Sequence, residues 1–144
     1  MSHTTSRGYI GIWMPNHFRA NSQGRVLEHL VIAEAALGHP LPDGAEVHHV
    51  NEIKSDNRHE NLVICEDSDY HKLLHRRARA YRATGNAQSR KCVYCKAWML
   101  PSDPELRVTD TSRYPSGRSY HLTCEREVLR ARRAAGYIAP QRRK

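Results

Sequence analysis

The sequence has little with which to build a large apolar core. Its 144 residues include one Phe and two Trp. Mean hydropathy is −0.75. No apolar run approaches the roughly 18 residues that a membrane helix needs, which excludes a span. The first ten residues, MSHTTSRGYI, lack the apolar stretch of a secretory leader. Four cysteines beside that opening point to a reducing compartment, the cytoplasm, where metal ligation is commoner than a disulfide. A core this lean often needs a metal or a partner to stay folded.

What the chain does have is positive charge, unevenly placed. Lys and Arg number 23 against 15 Asp and Glu, giving a formal charge of +8 and a pI near 9.6. Residues 1–66 hold 5 basic and 8 acidic residues, a balance of −3, whereas residues 67–144 hold 18 and 7, a balance of +11. The basic half suits a polyanion, and nucleic acid is the usual one.

Gly8 to Trp13 alternates large and small residues and reads as a strand, after a polar stretch 1–7 expected to be disordered. Val26, Leu27, Leu30, Val31, Ala35 and Leu37 give a helix its apolar face, and Gly38 sits where a C-cap belongs. Residues 45–50 and 62–65 read as short strands flanking a polar loop, 51–61. Asp67-Ser68-Asp69 starts a helix that runs from about Asp69 to Ala83 and stops at Gly85. Gly85-Asn86-Ala87 reads as a linker, and a basic helix is expected over residues 125–135.

Two histidines, His48 and His49, are adjacent on the first of those short strands. Neighbouring residues on a strand point to opposite faces, so the pair cannot do one job. One can meet His71 on the following helix and share a divalent metal with it. The other suits proton abstraction from water. Asn61 ends the loop, where its amide can bond across to the opposing backbone and fix the His strand.

The stretch VHHVNEIKSDNRHENLVICEDSDYHKLLH resembles the His-Asn-His (HNH) endonucleases, most of all the free-standing phage and homing members. The upstream GRVLEHLVIAEAALGHPLP adds to the resemblance, which covers roughly residues 8–83. It implies an α+β protein with a ββα-metal (His-Me finger) core at about residues 45–83, inside a nuclease domain 1–84 with an N-terminal strand and helix extension. It implies His49 as the general base, Asn61 as the residue that positions it, and His48 and His71 as ligands of one catalytic divalent ion. Two departures stand out. The interval from Asn61 to His71 is one residue longer than in many relatives, so His75, one turn on, is an alternative ligand. Glu28-His29 is followed by Leu30 where relatives often carry Arg. The catalytic ion would be Mg²⁺ or Mn²⁺, with Zn²⁺ or Ni²⁺ as test-tube substitutes.

A second constellation lies in the basic half. Cys92 and Cys95 form a C-x₂-C pair, and His121 and Cys124 repeat the two-residue gap. Two such turns can hold one tetrahedral, structural Zn²⁺. A redox pair is the other reading of the first two, without a thioredoxin-like setting around it. The 25 residues from Lys96 to Tyr120 contain three Pro and a Gly, a composition that metal would close. The expected zinc module spans 88–136, followed by a flexible basic tail, 137–144. Cys65 is left over and reads as a small buried residue.

Arg76, Arg77, Arg79, Arg82, Arg90 and Lys91 are the expected phosphate contacts. The resemblance therefore implies a metal-dependent endonuclease acting on double-stranded DNA, as monomer or homodimer, leaving 5′-phosphate and 3′-hydroxyl ends. If phage-encoded, it would act in the host cytoplasm. The alternative is a non-catalytic, zinc-dependent DNA-binding or DNA-packaging accessory.

Overall fold

The computed structural model describes residues 2–109 and 117–136. The tail expected at 137–144 lies outside the described residues. Two compact units divide the chain, residues 1–75 and 76–144.

In the first unit, β1 (Ser2–Thr4), β2 (Ile10–Trp13) and β3 (Arg25–Leu27) form an antiparallel sheet in that order. Two expectations are corrected here. Residues 2–4 are a strand because they pair with Ile12, Gly11 and Ile10. Val26 and Leu27 belong to β3 instead of the helix, since they pair with Ile12 and Gly11. Cross-strand pairing overrides a spacing that also fits a helix. The helix α1 is Glu28–Leu37. Gly38, at φ 74°, ends it by donating its N–H to the Glu34 carbonyl at 2.9 Å.

Next come β4 (Glu46–His49) and β5 (Leu62–Cys65), an antiparallel pair with His48 opposite Val63 and His49 opposite Leu62. Ala33, Leu41 and Val47 form the buried core, with Leu30, Ala45, Leu62 and Ile64 packed against it. Cys65 is fully buried, as expected of a small apolar residue. Glu34 ties the loops to this core. Its carboxylate accepts from Arg19 Nε at 2.8 Å and from the Leu41 N–H at 3.2 Å, with His17 Nε2 3.2 Å away. The helix α2 (Ser68–Thr84) begins where Asp67 Oδ1 accepts the Tyr70 N–H at 2.7 Å, and Gly85, at φ 73°, closes it.

The second unit takes α2 from Arg76 onward. β6 (Arg90–Lys91) pairs with β7 (Trp98–Met99), and β8 (Leu106–Val108) with β9 (Ser119–His121). α3 is Leu122–Ala134. It starts three residues earlier than expected because Glu105 caps it from outside the helix: the Glu105 carbonyl accepts the Leu122 N–H, and its carboxylate accepts the Thr123 N–H, both at 2.9 Å. Cys124 consequently sits in the first turn of α3. No helix among the described residues is long and apolar enough to cross a membrane.

Candidate active site and cysteine cluster

The pleat of β4 sends its two histidines apart. His48, 3% exposed, meets α2: its ring centroid lies 5.0 Å from that of His71 and 4.5 Å from that of His75. His71 and His75 are four residues apart on one helix face. One ligand atom from each of the three lies within 4.8 Å of the others. The structure thus brings in both His71 and its sequence alternative, with 3.1 Å between their Nε2 atoms. Each has a carboxylate on Nδ1: Glu46 contacts His71, and Glu52 lies 3.2 Å from His75. Glu52 reaches that place from a left-handed backbone conformation, φ 64°, uncommon outside glycine. A carboxylate behind a histidine fixes which ring nitrogen faces a metal.

This trio fits a divalent ion on its own evidence. His48 Nδ1 is buried without a hydrogen-bond partner among the described residues, and such an atom is costly unless water or an ion satisfies it. Burial first, then the neighbouring His75 and His71, pushes the His48 pKa down to about 4. A ring held neutral in this way keeps a lone pair for coordination.

His49, 5% exposed, faces the other way. Its Nε2 lies 2.9 Å from Asn57 Oδ1, and Asn57 Nδ2 donates to Glu28 Oε2 at 2.7 Å. The Glu28 carboxylate can only accept, so the Asn57 amino group faces Glu28 and its oxygen faces His49. In the neutral ring the proton therefore sits on Nε2, which leaves Nδ1 as the nitrogen with the lone pair. His29 packs edge-on at 5.1 Å between ring centroids, and Tyr9 lies 6.1 Å away. Burial, then repulsion from His49, pushes the His29 pKa down to about 4, so this neighbour stays neutral.

Asn61 holds the loop and not the ring. Its Oδ1 accepts the Asn51 N–H at 3.0 Å, its Nδ2 donates to the Asp56 carbonyl at 2.7 Å, and its own carbonyl accepts the Val50 N–H at 2.9 Å. Asn57 and Glu28 touch and steer His49, a role that the sequence pattern does not assign to either. Their signal was slight: one polar loop residue and the first residue of α1.

Residues 26–71 match the family model described as HNH endonuclease. This segment is an HNH endonuclease domain. It contains Glu28, His48, His49, Asn57, Asn61 and His71, and His75 follows four residues later. Searches of curated proteins and of solved structures return no significant match.

Outside the HNH segment, Cys92, Cys95, His121 and Cys124 also gather ligand atoms within 4.8 Å of one another. His121 Nδ1 lies 3.3 Å from Cys95 Sγ and 3.7 Å from Cys124 Sγ, and its Nε2 lies 4.0 Å from Asp103. The knuckle turns back through Lys96, φ 65°, whose N–H bonds the Cys92 carbonyl at 3.1 Å. Burial opposes ionisation of Cys92, but backbone N–H groups of His121, Cys95 and Tyr94 outweigh it and hold the thiol down at about 6. Cys124 goes the other way, to about 11, through burial and then the neighbouring thiols Cys95 and Cys92. Thiols this close oppose one another's ionisation, and a cation among them would favour the thiolate forms. This cluster is compatible with zinc.

The basic residues divide. Arg76, Arg79, Arg90 and Lys91 line one cleft in the second unit, and Arg77 and Arg82 do not.

Proposed function

We propose that the chain is a metal-dependent endonuclease of the phage or homing HNH type, cutting double-stranded DNA to 5′-phosphate and 3′-hydroxyl ends. The observation that carries this reading is the division made by β4: one histidine held on an Asn–Glu pair, the next among two further histidines.

In this reading His49 takes a proton from the attacking water at Nδ1 while Asn57 keeps Nε2 protonated. Glu28 holds Asn57 in register. His48 and His71 bind the divalent ion, and His75 stands as a third donor or an alternative to His71. When bound, that ion would neutralise charge on the scissile phosphate and the leaving 3′ oxygen. Cys92, Cys95, His121 and Cys124 hold a separate, structural Zn²⁺ in a basic module over 88–136. Reduced thiols of this kind suit a cytoplasmic protein.

The test is relaxation of supercoiled plasmid by wild type and by His49→Ala, with Mg²⁺, with Mn²⁺ and with neither. Metal-dependent cutting by the wild type that disappears in the variant supports the reading. Equal cutting by both, or none by the wild type on a broad panel of DNA, refutes it.

A further inference from the structure

We propose that the second unit carries its own site for the backbone phosphates of double-stranded DNA, in the cleft lined by Arg76, Arg79, Arg90, Lys91, Trp98 and Ser119. The proposal rests on the reading of the chain as a DNA enzyme, but it concerns a site outside the HNH segment.

The cleft encloses about 300 Å³. Its cations come from two separate elements. Arg76 and Arg79 lie three residues apart on α2, and Arg90 and Lys91 form β6. Ser119, from β9, adds a hydroxyl, and Trp98 from β7 makes an apolar wall, with Lys91 Nζ 5.8 Å from its ring centroid. None of the described residues lining the cleft is acidic.

Four cations line one concavity. At Arg76, burial first, then repulsion from Arg90, Arg77 and Arg79, holds the guanidinium pKa below the usual arginine range. An anion in the cleft would relieve that repulsion, and an apolar wall strengthens the field it would feel. Guanidinium forks fit phosphate oxygens two at a time. A concave basic site fits the convex phosphate ridge of a duplex better than the floor of a groove. It therefore supplies affinity and orientation without reading bases.

The cleft is also built into the cysteine cluster. Lys91 precedes Cys92 and Val93 follows it, and Ser119 lies two residues before His121. The Val93 N–H donates to the Ser119 carbonyl at 2.9 Å, joining the two walls.

The experiment uses the zinc-loaded full chain with His49→Ala, so that DNA stays intact. Fluorescence anisotropy follows a duplex of about 20 base pairs from roughly 50 to 200 mM salt. One variant adds Arg79→Gln and Lys91→Gln, both exposed cleft residues. The other adds Arg77→Gln and Arg126→Gln, both exposed and outside the cleft. Each removes two positive charges, so the overall field changes equally. The cleft pair should lose about tenfold or more in affinity, with a salt slope shallower by about 2, while the control pair keeps its slope. Equal losses in both pairs, no loss in the cleft pair, or no duplex binding by the parent would overturn the proposal. The two readings fail separately. If the wild type cuts DNA while the cleft pair binds like its parent, only the cleft is wrong. If the parent binds through the cleft while the wild type never cuts, only the nuclease reading is wrong.

Discussion

The side-chain oxygen of Asn57 lies 2.9 Å from Nε2 of His49, and this one bond decides which nitrogen of the ring is basic. Asn57 is itself turned by Glu28. Both are positioning residues acting on the ring that we propose takes the proton. Asn57→Ala should lower kcat for plasmid nicking by about 100-fold with KM little changed, and Glu28→Gln by a smaller factor. Nitrogen NMR of the His49 ring should show a loss of the Nε2-protonated form in Asn57→Ala. A raised KM with unchanged kcat and tautomer would assign both residues to DNA binding instead.

The three histidines on the other face should not be equal. His48→Ala and His71→Ala should each abolish measurable Mn²⁺ binding, whereas His75→Ala should weaken it by about 10- to 100-fold. Titration calorimetry of the three variants checks this. Loss of binding in His75→Ala with retention in His71→Ala would make His75 the main ligand.

The cysteine cluster should hold one zinc per chain, released to a colorimetric chelator when thiols are modified. Asp103→Asn should weaken zinc affinity by about 10-fold, because Asp103 lies 4.0 Å from His121 Nε2, the ring nitrogen opposite the one that faces the thiols. Removing the metal should melt the second unit, measured as lost amide protection there. Full protection in the metal-free protein would contradict a structural role.

Glu34 should matter for stability alone. Arg19 and the other donors that reach it hold its carboxyl below the ordinary value of 4.5, against the opposing effect of burial. A carboxyl whose folded pKa is depressed stabilises the fold above its unfolded pKa, and loses that contribution as pH falls. Wild type should therefore lose stability as pH falls below about 4.5. Glu34→Gln should cost about 2 kcal/mol at neutral pH, by removing the charge that faces Arg19 while the Leu41 carbonyl still accepts from its guanidinium, and should flatten the acid dependence. Denaturant melts at pH 7 and pH 4 measure both.

Much of the proposed catalytic side was legible because it is local. His48 and His49 are neighbours, Asn61 ends their loop and His71 is on the next helix, so order and spacing carry the pattern. The C-x₂-C pair and the caps at Asp67, Gly38 and Gly85 are local in the same sense. The Glu28–Asn57 bond spans 29 positions and joins two ordinary polar residues. No periodicity announces it. β3 was hidden for a related reason: Val26 and Leu27 satisfy a helical spacing, and only the distant β2 makes them a strand. The division among the arginines was hidden as well, because it depends on where β6 lies against α2 within the second unit.

His48 and His49 are chemically identical, so nothing in their side chains tells one from the other. Their difference is one of register. A slip of β4 by a single residue would turn His49 toward α2 and bring Val50 to face Asn57 and Glu28, leaving an imidazole cluster without its proton acceptor. Asn61 opposes that slip just past the pair: its backbone carbonyl accepts the Val50 N–H, and its side-chain amide ties the Asn51 N–H to the Asp56 carbonyl. Its amide thus acts as the address label of the strand, and a substitution there could scramble the two roles without touching either ring.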